Sequence, residues 1–111
     1  MANITHIVLF QFFEHVSSET IDDVVARMFQ LKDKCLDPVT GKPYILSSRG
    51  GRDNSVEGRN NGITHAFVVE FANKEDRDYY TFKEPAHLAF IASLDGIASQ
   101  VTVVDFSDNQ F

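Results

Sequence analysis

The stretch ITHIVLFQF, residues Ile4 to Phe12, decides the fold of this chain. It is rich in β-branched and aromatic residues and has no Gly or Pro, which is typical of a β-strand. Side chains alternate between the two faces of a strand. One face carries Ile4, His6, Val8, Phe10 and Phe12, and the other carries Thr5, Ile7, Leu9 and Gln11. Both faces are largely apolar, so we expect both to be covered.

Outward from this strand, the sequence predicts two helical regions and three more strands. A helix capped by Ser17 or Ser18 runs to about Lys34, with apolar residues at 3.6-residue spacing. The other predicted strands are YILSS at 44–48, ITHAFVVEF at 63–71 and SQVTVVDF at 99–106. A second helical region begins after Asn73, and Pro85 breaks or restarts it.

The long loop at residues 49–62 has the sequence RGGRDNSVEGRNNG. It reads either as a mobile hairpin connection or as a lid or anion contact, because loops of this length are often functional. It lacks the spacing of a phosphate-binding glycine loop. The sequence leaves its role open.

The resulting order is β-α-β-β-α-β, which predicts an α+β, ferredoxin-like fold. Such a unit is an antiparallel four-stranded sheet with both helices on one face, so the other face is left bare. Here that face is apolar, and a bare apolar sheet is an association site. Two copies packed sheet to sheet would bury it, so we expect a homodimer, a dimeric α/β barrel.

The composition of the chain argues against several classes of protein. The 111 residues suit a single domain spanning residues 1–111, and the net charge of −6 argues against nucleic-acid binding. The single cysteine, Cys35, excludes an intrachain disulfide. The N-terminus lacks the layout of a signal peptide, and no apolar run approaches the length of a membrane span. We therefore expect a cytoplasmic protein that does not associate with membranes.

Four sequence strings carry a family resemblance: THIVLFQF, NGITHAFVVEF, EDRDYY followed by EPAHLAF, and VVDF. Together they resemble the stress-responsive dimeric α/β-barrel (Dabb) proteins from Thr5 to Phe106, and the length and loop resemble fungal members. The resemblance implies a ferredoxin-like monomer and a sheet-packed dimer. A characterised plant member is a polyketide cyclase of the aldol type. Its functional positions correspond to His6, His65, His87 and either Tyr79 or Tyr80.

Three interpretations of these histidines remain open. Each can be a buried imidazole satisfied by the backbone. Alternatively, His87 is a general base with Tyr79 or Tyr80 as its partner, while His6 and His65 hold substrate oxygens. Three histidines could also bind a metal ion, but nothing in the sequence shows that they converge, and we predict no metal site and no cofactor.

Two functions follow. The first is a lyase or cyclase of the aldol type that acts on a small, apolar, oxygen-bearing ligand such as a polyketide. The ligand would lie in a pocket lined by phenylalanines, with Phe67 and Phe90 as candidates. The second is a stress-induced homodimer that binds a small ligand or none and catalyses nothing. The sequence does not decide whether the protein is an enzyme.

Overall fold

The computed structural model describes residues 2–111. Its elements in chain order are β1 (Ile4–Phe12), α1 (Ser18–Lys34), β2 (Ile45–Arg52), β3 (His65–Phe71), α2 (Lys74–Phe82), α3 (Pro85–Ser93) and β4 (Ala98–Phe106). The strands form one antiparallel sheet in the order β2-β3-β1-β4. The predicted ferredoxin-like α+β fold is confirmed, with β1 and β3 adjacent at the centre of the sheet.

The helix starts follow the capping rules. The Ser17 hydroxyl accepts a hydrogen bond from the backbone N–H of Thr20, and the Asn73 side chain accepts one from the N–H of Asp76. The second helical region is two helices, because Pro85 has no N–H to continue the first one. Glu84 caps the new helix, and Pro85 occupies its first turn.

Strand β2 is longer than the sequence indicates. It reaches Arg52, four residues into the predicted loop, because residues 49–52 pair with β3. Gly50 lies opposite Phe67 in this pairing, and a Cβ atom on Gly50 would overlap the Phe67 ring. Glycine at this position therefore lets the Phe67 ring lie across strand β2. The periodicity of the side chains does not reveal this contact.

The two faces of the sheet differ in cover. On β1, the side chains of Ile4, His6, Val8 and Phe10 are buried beneath the helices, whereas those between them are only half-buried. We call the helix-free side the outer face. It carries Thr5, Ile7, Leu9, Ala66, Val68, Glu70, Thr102, Val104 and Phe106. Val104 and Phe106 are 51% and 43% exposed, so the outer face leaves apolar surface uncovered in a single chain.

No helix within residues 2–111 is long and apolar enough to span a membrane.

Candidate functional site

A cavity of about 480 Å³ lies between strands β1 and β4 and helices α2 and α3. Its polar lining comprises His6, Arg77, Asp78, Tyr80, Thr81, His87 and Asp105. Its apolar lining comprises Val8, Phe10, Met28, Phe82, Phe90, Ile91, Leu94, Val101 and Val103. This volume and this mixture of many apolar and few polar groups are typical of small-molecule sites.

His6 is fixed by a carboxylate on the neighbouring strand. It lies opposite Asp105 in the β1–β4 ladder, and its Nδ1 atom is 2.6 Å from Asp105 Oδ1. An ionised carboxylate only accepts hydrogen bonds, so Nδ1–H of His6 is the donor. In the neutral imidazole, the lone pair is therefore on Nε2.

Arg77 on α2 completes this arrangement. Its Nη1 donates to Asp105 Oδ2 over 3.0 Å, and its Nε donates to Asp78 Oδ1 over 2.7 Å. The hydrogen bonds to Asp78 and Asp105 raise the pKa of Arg77, which keeps the guanidinium charged. Asp105 thus bridges a permanent cation and an imidazole, and both of its oxygens are engaged.

His87 is fixed by the break between α2 and α3. The backbone N–H groups of Lys83 and Glu84 both bond to Tyr79 O, which leaves the carbonyl of Tyr80 without its usual helical partner. His87 Nδ1–H donates to that carbonyl over 2.7 Å, and its ring stacks on the Tyr80 ring at 3.8 Å. A carbonyl is an acceptor only, so the lone pair of this imidazole is also on Nε2.

Burial lowers the pKa of His87 to about 4, although the Tyr80 carbonyl opposes the shift. Desolvation disfavours the charged form of a buried imidazole, so His87 is neutral at pH 7. Within the described residues, neither His6 nor His87 forms a hydrogen bond through Nε2, and neither atom is sealed from solvent. In its neutral form, each of these two rings therefore offers an Nε2 acceptor.

Of the two candidate tyrosines, Tyr80 lines the cavity and Tyr79 does not. Tyr79 packs edge-on against Tyr44 at 5.9 Å, on a different side of α2, because successive helical residues point about 100° apart. Burial raises the pKa of Tyr80, so its hydroxyl stays protonated. Of the two candidate partners for His87, only Tyr80 is therefore in a position to contact a molecule in this cavity.

Two of the other candidates lie elsewhere. His65 pairs with Phe10 and His6 pairs with Val69, so the register separates the histidines by four residues, roughly 13 Å at strand spacing. His65 instead bonds Thr64 Oγ1. Phe67 is buried in the core beside Phe10, outside the cavity. His65 and Phe67, which the sequence placed among the substrate-binding candidates, thus lie outside this cavity, whereas Phe90 lines it.

Sequence reasoning missed Asp105 and Arg77. The signal available for Asp105 was a carboxylate in the otherwise apolar run VTVVDF, at a position whose β1 partner is a histidine. Only the strand register identifies that partner. Arg77 belongs to a charged helical segment, where nothing in the spacing distinguishes it from its solvated neighbours.

A second buried polar group supports α3 from beneath. The Tyr44 hydroxyl donates to Glu84 Oε1 over 2.6 Å, and Glu84 also caps the helix that carries His87. Burial raises the pKa of Tyr44, and burial likewise raises the pKa of the nearby Cys35 to about 12. Cys35 is therefore an inert thiol at neutral pH.

Among residues 2–111, no group of three His, Cys, Asp or Glu side chains is placed to hold a metal ion. His6 and His87 line the cavity, whereas His65 lies away from it. The geometry thus brings together two imidazoles, two carboxylates and a guanidinium at the wall of an apolar cavity.

Comparison with known proteins shows which family this chain is similar to. Residues 4–108 match the stress responsive A/B barrel domain family. The stress-response A/B barrel domain-containing protein HS1 of Arabidopsis thaliana is 28% identical over 103 residues, covering 93% of this chain and 87% of HS1.

Solved structures share the fold at lower identity. A hydroxynitrile lyase from Passiflora edulis superposes with a TM-score of 0.84 at 22% identity, covering 99% of this chain and 96% of the lyase. A dimeric ferredoxin-like protein of unknown function from Thermobifida fusca superposes with a TM-score of 0.74 at 20% identity, covering 96% of this chain and 91% of that protein.

Proposed function

The chain belongs to the stress-responsive A/B barrel domain family, and from that premise we propose that it is an acid–base catalyst of the lyase type. It acts on a small, apolar, oxygen-bearing molecule, making or breaking a carbon–carbon bond as in an aldol reaction. The observation that carries the proposal is the hydrogen-bonded pair of His6 and Asp105 at the wall of an apolar cavity. A hydroxynitrile lyase of the same fold supports chemistry of this class.

His6 is the proton acceptor. In the cleavage direction, its Nε2 takes the hydroxyl proton of a β-hydroxy ketone, the C–O bond becomes a carbonyl, and the carbon–carbon bond breaks. The bonding electrons form an enolate, whose carbon then takes the proton back from His6. Asp105 holds the required tautomer and stabilises the imidazolium while the proton is on His6, as the carboxylate does in hydrolase triads.

His87 has a different role from the one expected from the sequence, which made it the base. Because its pKa is lowered to about 4, its imidazole is a weak base at neutral pH. It remains a hydrogen-bond acceptor and holds a substrate hydroxyl other than the one that gives its proton to His6. Arg77 supplies positive charge near the developing oxyanion. Asp78 and Asp105 use two of its five N–H groups, so three N–H groups remain to donate to that oxygen.

The protein works as a homodimer in this proposal. The apolar residues of the outer face are half-exposed in the single chain, and proteins of the same fold are described as dimeric. A second copy packed on the outer face would bury them, while the cavity opens on the opposite side of the sheet.

The test uses two neutral probes that release benzaldehyde, 4-hydroxy-4-phenylbutan-2-one and mandelonitrile. We expect the wild-type protein to accelerate release, measured by ultraviolet absorbance, above the buffer rate. Replacing His6 by Asn should lower that acceleration by about 10²–10⁴-fold, the usual contribution of a general base. The matched control is His65→Asn, which removes a histidine outside the cavity and should leave the rate unchanged.

Two results would overturn the proposal. One is a wild-type protein that releases no benzaldehyde from either probe, which would favour a ligand-binding protein without catalysis. The other is an equal loss of rate in His6→Asn and His65→Asn at unchanged folding, since His65 cannot reach the cavity.

A further inference from the structure

The two cavity imidazoles present the same kind of group to a ligand. His6 Nδ1–H is held by Asp105 and His87 Nδ1–H is held by the Tyr80 carbonyl, so each neutral ring offers only an Nε2 lone pair. From this geometry we infer that the cavity selects neutral molecules that carry two hydroxyl groups on an apolar skeleton. This specificity rests on the proposed function in one respect, because both use the Nε2 lone pair of His6.

The selection of diols arises because hydroxyl donors of the ligand pair with the Nε2 acceptors of the two imidazoles. A ligand hydroxyl donates to an Nε2 atom and replaces the water that it would otherwise bind. A carbonyl, an ether or a second acceptor at the same position leaves two lone pairs facing each other, and the desolvated groups stay unpaired. A ligand with one hydroxyl satisfies one imidazole only.

Charge excludes acidic ligands from the same cavity. The lining carries the carboxylates of Asp78 and Asp105 against the single guanidinium of Arg77, and both carboxylates already bond to it. His87 adds no positive charge at neutral pH. A ligand carboxylate or phosphate would thus enter a partly buried site whose lining already has one more carboxylate than guanidinium groups. It would also face the Nε2 lone pairs of the imidazoles, which cannot donate a hydrogen bond to it.

The rest of the cavity suits an apolar body. Phe10, Met28, Phe90 and Leu94 lie along its walls, and none of them offers a hydrogen bond. A ligand of the inferred class therefore places its two hydroxyl groups at the imidazole end and its hydrocarbon part against these side chains.

Calorimetric titration with unreactive ligands tests the inference. The probes are butyl-substituted 1,2-, 1,3- and 1,4-dihydroxybenzenes, whose hydroxyl separations differ, with the monomethyl and dimethyl ethers of each. We expect the best diol to bind at least tenfold more tightly than its monomethyl ether, the change for one hydrogen bond worth about 1.4 kcal/mol. The dimethyl ether and 4-butylbenzoate should bind more weakly again.

Two variants show whether the preference for diols depends on His87. His87→Phe keeps a ring on Tyr80 but removes one acceptor, so the diol and its monomethyl ether should then bind equally. His65→Phe, the matched control, should keep the wild-type preference. The ether series on the wild-type protein needs no variant, so a misfolded His87→Phe would not prevent the test.

Equal affinity of the wild-type protein for a diol and its dimethyl ether, across all three isomers, would overturn this inference. Tighter binding of 4-butylbenzoate than of the diols would overturn it as well. Because these ligands do not react, diol selectivity without benzaldehyde release would contradict only the proposed function. Benzaldehyde release without diol selectivity would contradict only this inference.

Discussion

The Val68→Asp variant is expected to be a folded monomer at concentrations where we expect the wild-type protein to be a dimer. Val68 lies at the centre of the outer face, paired with Ile7 on one side and Arg49 on the other. In a sheet-packed dimer the new carboxylate would be buried against the partner, and an unpaired buried charge costs several kcal/mol. We therefore expect the dissociation constant to rise by about 10³-fold or more, measured by sedimentation velocity.

The control is Val56→Asp, because Val56 lies in the loop and is 95% exposed. That variant should sediment like the wild-type protein. The neighbouring change Phe67→Asp has a different expected outcome, since Phe67 faces the core and a carboxylate there should prevent folding. A Val68→Asp protein that stays dimeric at micromolar dilution would contradict packing through the outer face.

The Asp105→Asn variant is expected to lose about 10²–10⁴-fold in the rate of benzaldehyde release. An amide in place of the carboxylate neither stabilises the imidazolium nor fixes the tautomer, because it can donate to Nδ1 of His6 as readily as it accepts. When it donates, the proton of His6 moves to Nε2, and the lone pair leaves the cavity. Rates should be measured as kcat/KM across pH 5 to 9, together with the thermal midpoint.

Asp108→Asn is the matched control, because Asp108 is exposed in the chain that follows β4. It removes the same charge without touching the site and should leave both rate and stability as they are. If Asp105→Asn retains full activity with its pH profile unchanged, the base is not His6 in the form described above.

Much of the fold follows from the sequence because the sheet depends on strong local patterns. Residues 4–12 and 63–71 are rich in β-branched and aromatic residues, and the capping residues Ser17 and Asn73 stand where the helices begin. The end of β2 was harder to predict. Residues 49–52 are polar and glycine-rich, and they form a strand only because β3 offers them a paired edge.

The residues of the site were also predictable only where a local pattern identifies them. His6, His87 and Phe90 stand on elements whose buried faces the periodicity identifies, and all three line the cavity. Strand register is a long-range property, so the separation of His65 from His6 and the pairing of His6 with Asp105 could not be read from local spacing.

Helix geometry decided between the tyrosines. The two residues are adjacent in the chain, and only the position of α2 over the sheet determines which of them turns toward His87. The helix break also matters for the chemistry, because it leaves the Tyr80 carbonyl for His87. Its cause, Pro85, was visible in the sequence, but its consequence for an imidazole tautomer was not.

Nitrogen-15 NMR of the histidine rings, recorded at pH 8 and then titrated to pH 4, tests the assigned tautomers of His6 and His87. We expect each of these rings to carry a proton on Nδ1 at pH 8, and we expect His87 to stay neutral until the pH approaches 4. Because the unfolded state takes up this proton near pH 6.5, His87 should also lower the stability as the pH falls from 6.5 to 4. A proton on Nε2 of either ring at pH 8, or protonation of His87 near pH 6.5, would contradict the assigned tautomers and the burial of His87.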